Sequence, residues 1–161
     1  MVMGDALAVC LMQLNGFGSK DFAKFHPGGN LGKRLYLRVD DIYKSNEKPI
    51  IQETAAFKNV IMGISKGRLG AIAVLNEADT ITGIITDGDI RRLLETTDDI
   101  KDLKAGDISV KNPKRILHTA LAVEALDTMN TYAINQLIVV DTNDVLLGFI
   151  HLHDLIREGI I

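Results

Sequence analysis

The chain has 161 residues, 47% of them apolar and 24% charged, with a formal charge of −3. This composition is that of a globular domain, and it argues against nucleic-acid binding, which needs a concentrated basic face. One cysteine, Cys10, excludes an internal disulfide, and no Cys/His spacing resembles a zinc site.

In chain order, Gly4 to Leu14 comes first, helical in propensity and apolar nearly all round. Such a helix belongs inside a protein. Its longest unbroken apolar run, Ala6 to Met12, falls far short of the ~20 residues that span a bilayer. Asp5 and the missing basic flank also speak against a signal peptide, so a reducing, cytoplasmic setting is expected. Ser19 to Phe25 reads as a second, amphipathic helix with Ser19 as its cap. It stops at His26-Pro27-Gly28-Gly29-Asn30-Leu31-Gly32, where two turn signals meet. Residues 1–38 thus read as the last helices of a larger domain, expected to be partly mobile or to pack on another copy.

From residue 39 onward the chain repeats. Gly83-Ile84-Ile85-Thr86-Asp87-Gly88-Asp89-Ile90 returns as Gly148-Phe149-Ile150-His151-Leu152-His153-Asp154-Leu155, an offset of 65 residues. The same offset lays Thr54-Ala55 on Thr119-Ala120 and Ala71–Asn76 on Gln136–Asp141. Each copy opens with a short apolar segment, Pro49–Gln52 or Arg115–Leu117. A helix follows, with Thr54 or Thr119 as the expected N-cap and apolar positions Ala56, Val60, Ile61 and Ile64, or Leu121, Ala125, Leu126 and Met129. Two β runs come next, separated by an Asn or Asp turn, and a short helix closes the unit. Near-continuous apolar content predicts strands covered on both faces. One copy of about 60 residues buries too little surface to be comfortable alone, so the two should pair about a pseudo-two-fold axis.

This β-α-β-β-α order, with Gly-x-x-Thr-x-x-Asp joining the last strand to the last helix, resembles the tandem CBS repeat, an α+β fold. The resemblance covers residues 39–161, with repeats at 39–100 and 101–161. It implies a regulatory module that binds adenine or related nucleotides between the repeats, with Asp89 and Asp154 on a ribose diol and Thr86 on phosphate. Unsatisfied N–H groups at a helix start attract phosphate, and an ionised carboxylate accepts bonds from two hydroxyls. Arg91 and Arg92 stand close enough in sequence to neutralise phosphate. The competing reading is structural: Thr86-x-x-Asp89 is also a capping box. In the second copy His151 replaces the threonine, so Asp154 is harder to explain as a cap and the two sites should not be equivalent. His151, His153 and Asp154 lie within four residues, but a metal site is disfavoured because a helix starts midway and no distant ligand cluster completes the shell. His118 has no obvious partner, and Lys114 and Arg115 read as solvated side chains.

Residues 1–38 carry a second resemblance. Gly4-Asp5-Ala6-Leu7-Ala8, Gly16-Phe17, Asp21-Phe22-Ala23, His26-Pro27-Gly28-Gly29 and Leu31-Gly32-Lys33-Arg34-Leu35, followed by the repeats, are similar to bacterial arabinose 5-phosphate isomerases. In that family a sugar-isomerase (SIS) domain precedes two CBS repeats, so 1–38 correspond to the end of the SIS domain. The resemblance implies a cytoplasmic, usually tetrameric enzyme that interconverts arabinose 5-phosphate and ribulose 5-phosphate, feeding synthesis of the sugar acid Kdo for envelope lipopolysaccharide. It implies a catalytic role for His26, lent to a neighbouring subunit's site. Imidazole titrates near neutrality and suits proton transfer between two carbons. No cofactor is required; the CBS ligand expected is an adenine nucleotide or the CMP-linked sugar acid. These 161 residues alone are expected to be inactive, because the phosphate-cradling loops of the family lie outside them. A different reading makes the CBS pair a dimerisation platform with degenerate clefts, and a third makes it the sensor of another sugar-phosphate isomerase.

Overall fold

The computed structural model describes residues 2–18, 21, 30–97 and 99–160. Of the expected helix at 19–25 only Asp21 is among them, and the His26-Pro27-Gly28-Gly29 loop lies outside them. Helix α1 spans Val2–Leu14, and none of its residues is buried. Helix α2, Asn30–Tyr36, leads through 3-10 turns at Val39–Asp41 and Tyr43–Ser45 into the first repeat. That repeat consists of β1 (Ile50–Gln52), α3 (Phe57–Gly67), β2 (Ala71–Leu75), β3 (Ile81–Thr86) and α4 (Asp87–Thr96). A connecting segment carries α5 (Ala105–Ile108) and β4 (Val110–Lys111). The second repeat holds β5 (Arg115–Leu117), α6 (Ala122–Tyr132), β6 (Gln136–Val140), β7 (Leu146–His151) and α7 (Leu152–Arg157).

Each repeat builds its own sheet, ordered β1-β2-β3-β4 and β5-β6-β7. The first strand runs parallel to the second and the hairpin is antiparallel in both. The repeat extends to irregularities. A register shift falls at Val74/Leu75 and again at Val139/Val140. Asn76 Oδ1 accepts from Ala78 and Thr80, and Asp141 Oδ1 accepts from Asn143 and Val145, closing equivalent Asx turns. Both helices α3 and α6 end on a left-handed residue that is not glycine, Arg68 and Ala133.

Strands β2 and β6 are covered on both faces, as their composition predicts, whereas β3 alternates between buried and half-buried residues. Ile72 and Val74 of β2 join Val60 and Ile64 of α3 in one cluster. Ala71, Ala73, Leu75 and Ile81 join Ile138, Val140, Leu146 and Phe149 in another, which is the seam between the two sheets. Period-2 alternation along each strand thus sends one set of side chains to its own helix and the other set to the opposite repeat.

The segments that lead into the repeats are exchanged. Val39 and Ile42, which precede the first repeat, are buried in the core of the second with Ala122, Leu126, Leu137 and Leu155. Ala105, which precedes the second repeat, is buried in the core of the first. Extended backbone bridges mark both crossings, Arg38 with Leu121 and Ala56 with Lys104. These crossings also explain the repeated glycine of the motif. A Cβ on Gly83 would come within 2.7 Å of Ser109 Oγ, and one on Gly148 within 2.8 Å of the Tyr43 ring.

One capping expectation is corrected. The N-caps are Ala56 and Leu121, neither with a side-chain bond, so Thr54 and Thr119 lie before the helices. Backbone turns occupy those residues, closed by Ala55 N–H on Gln52 O and Ala120 N–H on Leu117 O, and the true caps are spent on the crossing bridges.

Candidate functional site: a cleft between the repeats

A cavity of about 700 Å³ opens where the two repeats meet, a volume within the usual range for small-molecule sites, roughly 300–1,000 Å³. Leu69, Ile84, Val110 and Ile134 give it apolar walls, while Thr86, Arg92, Lys114 and His151 supply polar and basic groups. Thr86 and His151 are partners at the 65-residue offset, as are Gly70 and Asn135, which also line it. The cavity therefore straddles the pseudo-two-fold axis.

Thr86 is the N-cap of α4, held in a reciprocal box. Its backbone N–H and its hydroxyl donate to Asp89 Oδ2 at 2.8 and 2.6 Å. Arg92 donates to Asp89 Oδ1 at 2.5 Å. Asp89 stands behind the lining, and Arg91 is exposed and outside it; the arginine at the cleft is Arg92.

The second repeat departs from the sequence-based expectation. Asp154 does cap its helix: its Oδ2 accepts the His151 N–H at 2.9 Å, and His151 Nδ1 accepts the His153 N–H at 3.1 Å. An imidazole nitrogen stands in for the hydroxyl as acceptor. Asp154 is 5% exposed, the one buried charged residue among those described. Besides Arg157 it binds Asn46, whose amide donates to Oδ2 at 2.6 Å from the exchanged leading segment. Each aspartate already accepts three hydrogen bonds within the protein, two of them at Oδ2.

The two histidine rings stack with centroids 5.3 Å apart. His151 Nδ1 is spent on a backbone N–H and Asp154 on the helix start, so these groups do not converge on a point where an ion would sit. Among the described residues no group of metal-ligating side chains occurs elsewhere.

Burial holds the His151 imidazole below its ordinary range, and the neighbouring His153 adds to that, with Asp154 opposing. A base whose folded pKa is depressed gives stability that is complete above the unfolded value near 6.5 and is lost as pH falls through the folded one. The melting temperature should therefore fall between pH 7.5 and 5.5. In His151→Thr that part of the slope should vanish, as thermal melts across this range will show.

Two basic residues read as solvated are engaged. Arg115 pairs with Asp144 and donates to Ile81 O at 3.1 Å, tying the second repeat to the first. Lys114 lines the cleft and lies 3.8 Å over the Tyr132 ring. His118 finds its partner in Asp40, at 3.4 Å. The Lys44 hydrogen bond, and behind it His118, holds the Asp40 carboxyl below its usual range. Asn112, Ala133 and Gln136 also line the cleft and were not singled out from sequence. The 65-residue offset, applied to the residues just before each second strand, is the signal that points to Gly70 and Asn135.

The family model for the CBS domain matches residues 39–96 and 105–160. Arabinose 5-phosphate isomerase KdsD of Escherichia coli K12 is 40% identical over 162 aligned residues, covering all of this chain and 49% of that protein. The chain thus spans about half the length of the curated relatives it matches. A CBS domain protein of Pyrobaculum aerophilum complexed with AMP superposes with TM-score 0.68 at 24% identity, over 74% of this chain and 90% of that one. A CBS domain pair in complex with 5′-methylthioadenosine and S-adenosyl-L-methionine gives TM-score 0.67 at 20% identity, over 74% and 93%. Among the described residues no helix is long and apolar enough to cross a membrane.

Proposed function

This chain belongs to the CBS-domain family, and from that premise we propose that it is the regulatory portion of a cytoplasmic arabinose 5-phosphate isomerase whose ligand occupies the open cleft. The observation that carries the reading is the cleft itself, apolar-walled and edged by Thr86, Arg92, Lys114 and His151. Flat apolar walls suit a base, and the arginine and lysine suit a phosphate. An adenine nucleotide is the first candidate, and a CMP-linked sugar acid the second, being the product that such an enzyme's pathway would send back as a signal. Identity to the KdsD relatives supports the parent activity, with His26 as its candidate catalytic residue, acting in a neighbouring subunit's site of a tetramer.

Regulation requires that the ligand bind two states of the enzyme unequally. A cleft that straddles two repeats is placed for this, because a ligand that bridges them changes their mutual packing. A specific observation favours the other reading, a dimerisation platform: both aspartates are committed to their own helices.

Thermal melting separates the two. At about 100 times Kd a bound ligand adds about 2.7 kcal/mol, or roughly 5–10 °C for a chain of this size. That rise is expected with AMP, ATP or the CMP-sugar. No rise with any of them at saturating concentration would leave the platform.

A further inference from the structure

Asp89 and Asp154 spend their carboxylates inside the protein, and neither lines the open cleft. The carboxylate that does line it belongs to Asp87, the first residue of α4. Asp87 is exposed, and its side chain receives no hydrogen bond or ion pair from any described residue. Its backbone is fixed, because the N–H donates to Gly70 O at 3.0 Å. Gly70 also lines the cleft, and a Cβ there would stand 3.1 Å from Asp87 Oδ2. Glycine at this position keeps that oxygen uncovered.

The second repeat differs at the same places. At the 65-residue offset Gly70 and Asp87 become Asn135 and Leu152, and the backbone bond recurs from Leu152 N–H to Asn135 O at 2.7 Å. No carboxylate of the second repeat lines the cleft. Lys114 does, lying over the Tyr132 ring with no carboxylate partner among the described residues. His151 Nδ1 accepts the His153 N–H, so the neutral ring carries its proton on Nε2 and offers a donor there. In the first repeat the lining cation, Arg92, is offset by its pair with Asp89, which leaves the Asp87 carboxylate uncompensated. The cleft is therefore polarised from one repeat to the other. A carboxylate accepts bonds from vicinal hydroxyls and disfavours a neighbouring anion, whereas an ammonium attracts one.

We propose that Asp87 is the hydroxyl-binding residue of the cleft and that it orients the ligand, with vicinal hydroxyls toward the first repeat and the anionic group toward Lys114 and His151. This rests on the reading of the cleft as a nucleotide site. It deepens that reading by assigning hydroxyl recognition to a residue present in one repeat only, in place of the two repeated aspartates.

The test is isothermal titration of the 161-residue chain with AMP, 2′,3′-dideoxy-AMP and adenosine. The wild type is expected to bind AMP roughly tenfold more tightly than the dideoxy compound, the worth of hydrogen bonds to a charged group. Asp87→Ala should lose that preference, and Lys114→Ala should weaken AMP severalfold while leaving adenosine unchanged. The wild-type comparison needs no variant, so it stands even if a substitution unfolds the chain. Equal binding of AMP and dideoxy-AMP by the wild type would overturn the proposal and leave the nucleotide reading intact. So would a preference that survives in Asp87→Ala, or tighter AMP binding by that variant, which would place the phosphate at the first repeat. No binding of any of the three would remove the adenine-nucleotide reading, and the proposal with it.

Discussion

Replacing Phe149 with alanine is expected to destabilise the module by about 3–5 kcal/mol, the usual cost of emptying a large aromatic site in a core. The ring is fully buried in the seam where Ala71 and Ala73 of one sheet face Ile138 and Val140 of the other. Two small residues across the seam leave the space that the ring fills. A truncation there empties the contact between the repeats. Domain stabilities run about 5–15 kcal/mol, so most of the margin is at stake. Urea unfolding of wild type and Phe149→Ala will measure it. A loss below about 1 kcal/mol would mean that the seam is not the common core.

Asp154→Ala is expected to cost about 3 kcal/mol, and Asp89→Ala about 1 kcal/mol, although the two positions look equivalent in the repeat. Losing a helix cap costs about 1 kcal/mol. A buried donor left without a partner adds about 1–3 kcal/mol. At Asp154 the His151 N–H and one bond of the Asn46 amide are stranded in a site that is 5% exposed. At Asp89 the hydroxyl of Thr86 lines an open cavity and turns to water. Paired denaturation curves decide the matter, and equal losses at the two positions would contradict it.

The β-α-β-β-α order and the two closing helices were legible because they rest on local patterns that recur at a fixed offset. The reciprocal box at Thr86 and Asp89 was legible for the same reason, being an i, i+3 pattern. The helix starts at 54 and 119 were misread because a threonine before an apolar run is a local signal. The residues actually used as caps, Ala56 and Leu121, are extended to bridge distant segments. The role of Asp154 was misread because an imidazole nitrogen accepts in place of a hydroxyl and the remaining donor lies 108 residues away.

By itself the sequence determined two copies of one unit, their strand order, and the apolar faces that force them together. Those properties follow from side-chain periodicity along a single stretch of chain. Only the tertiary structure decided that each leading segment is buried in the other repeat, that Arg92 and not Arg91 reaches the cleft, and that Asn46 closes on Asp154. Each of these depends on how two twisted sheets set their faces against one another. Pattern along the chain names the faces; the packing of one on the other sets which distant residues meet.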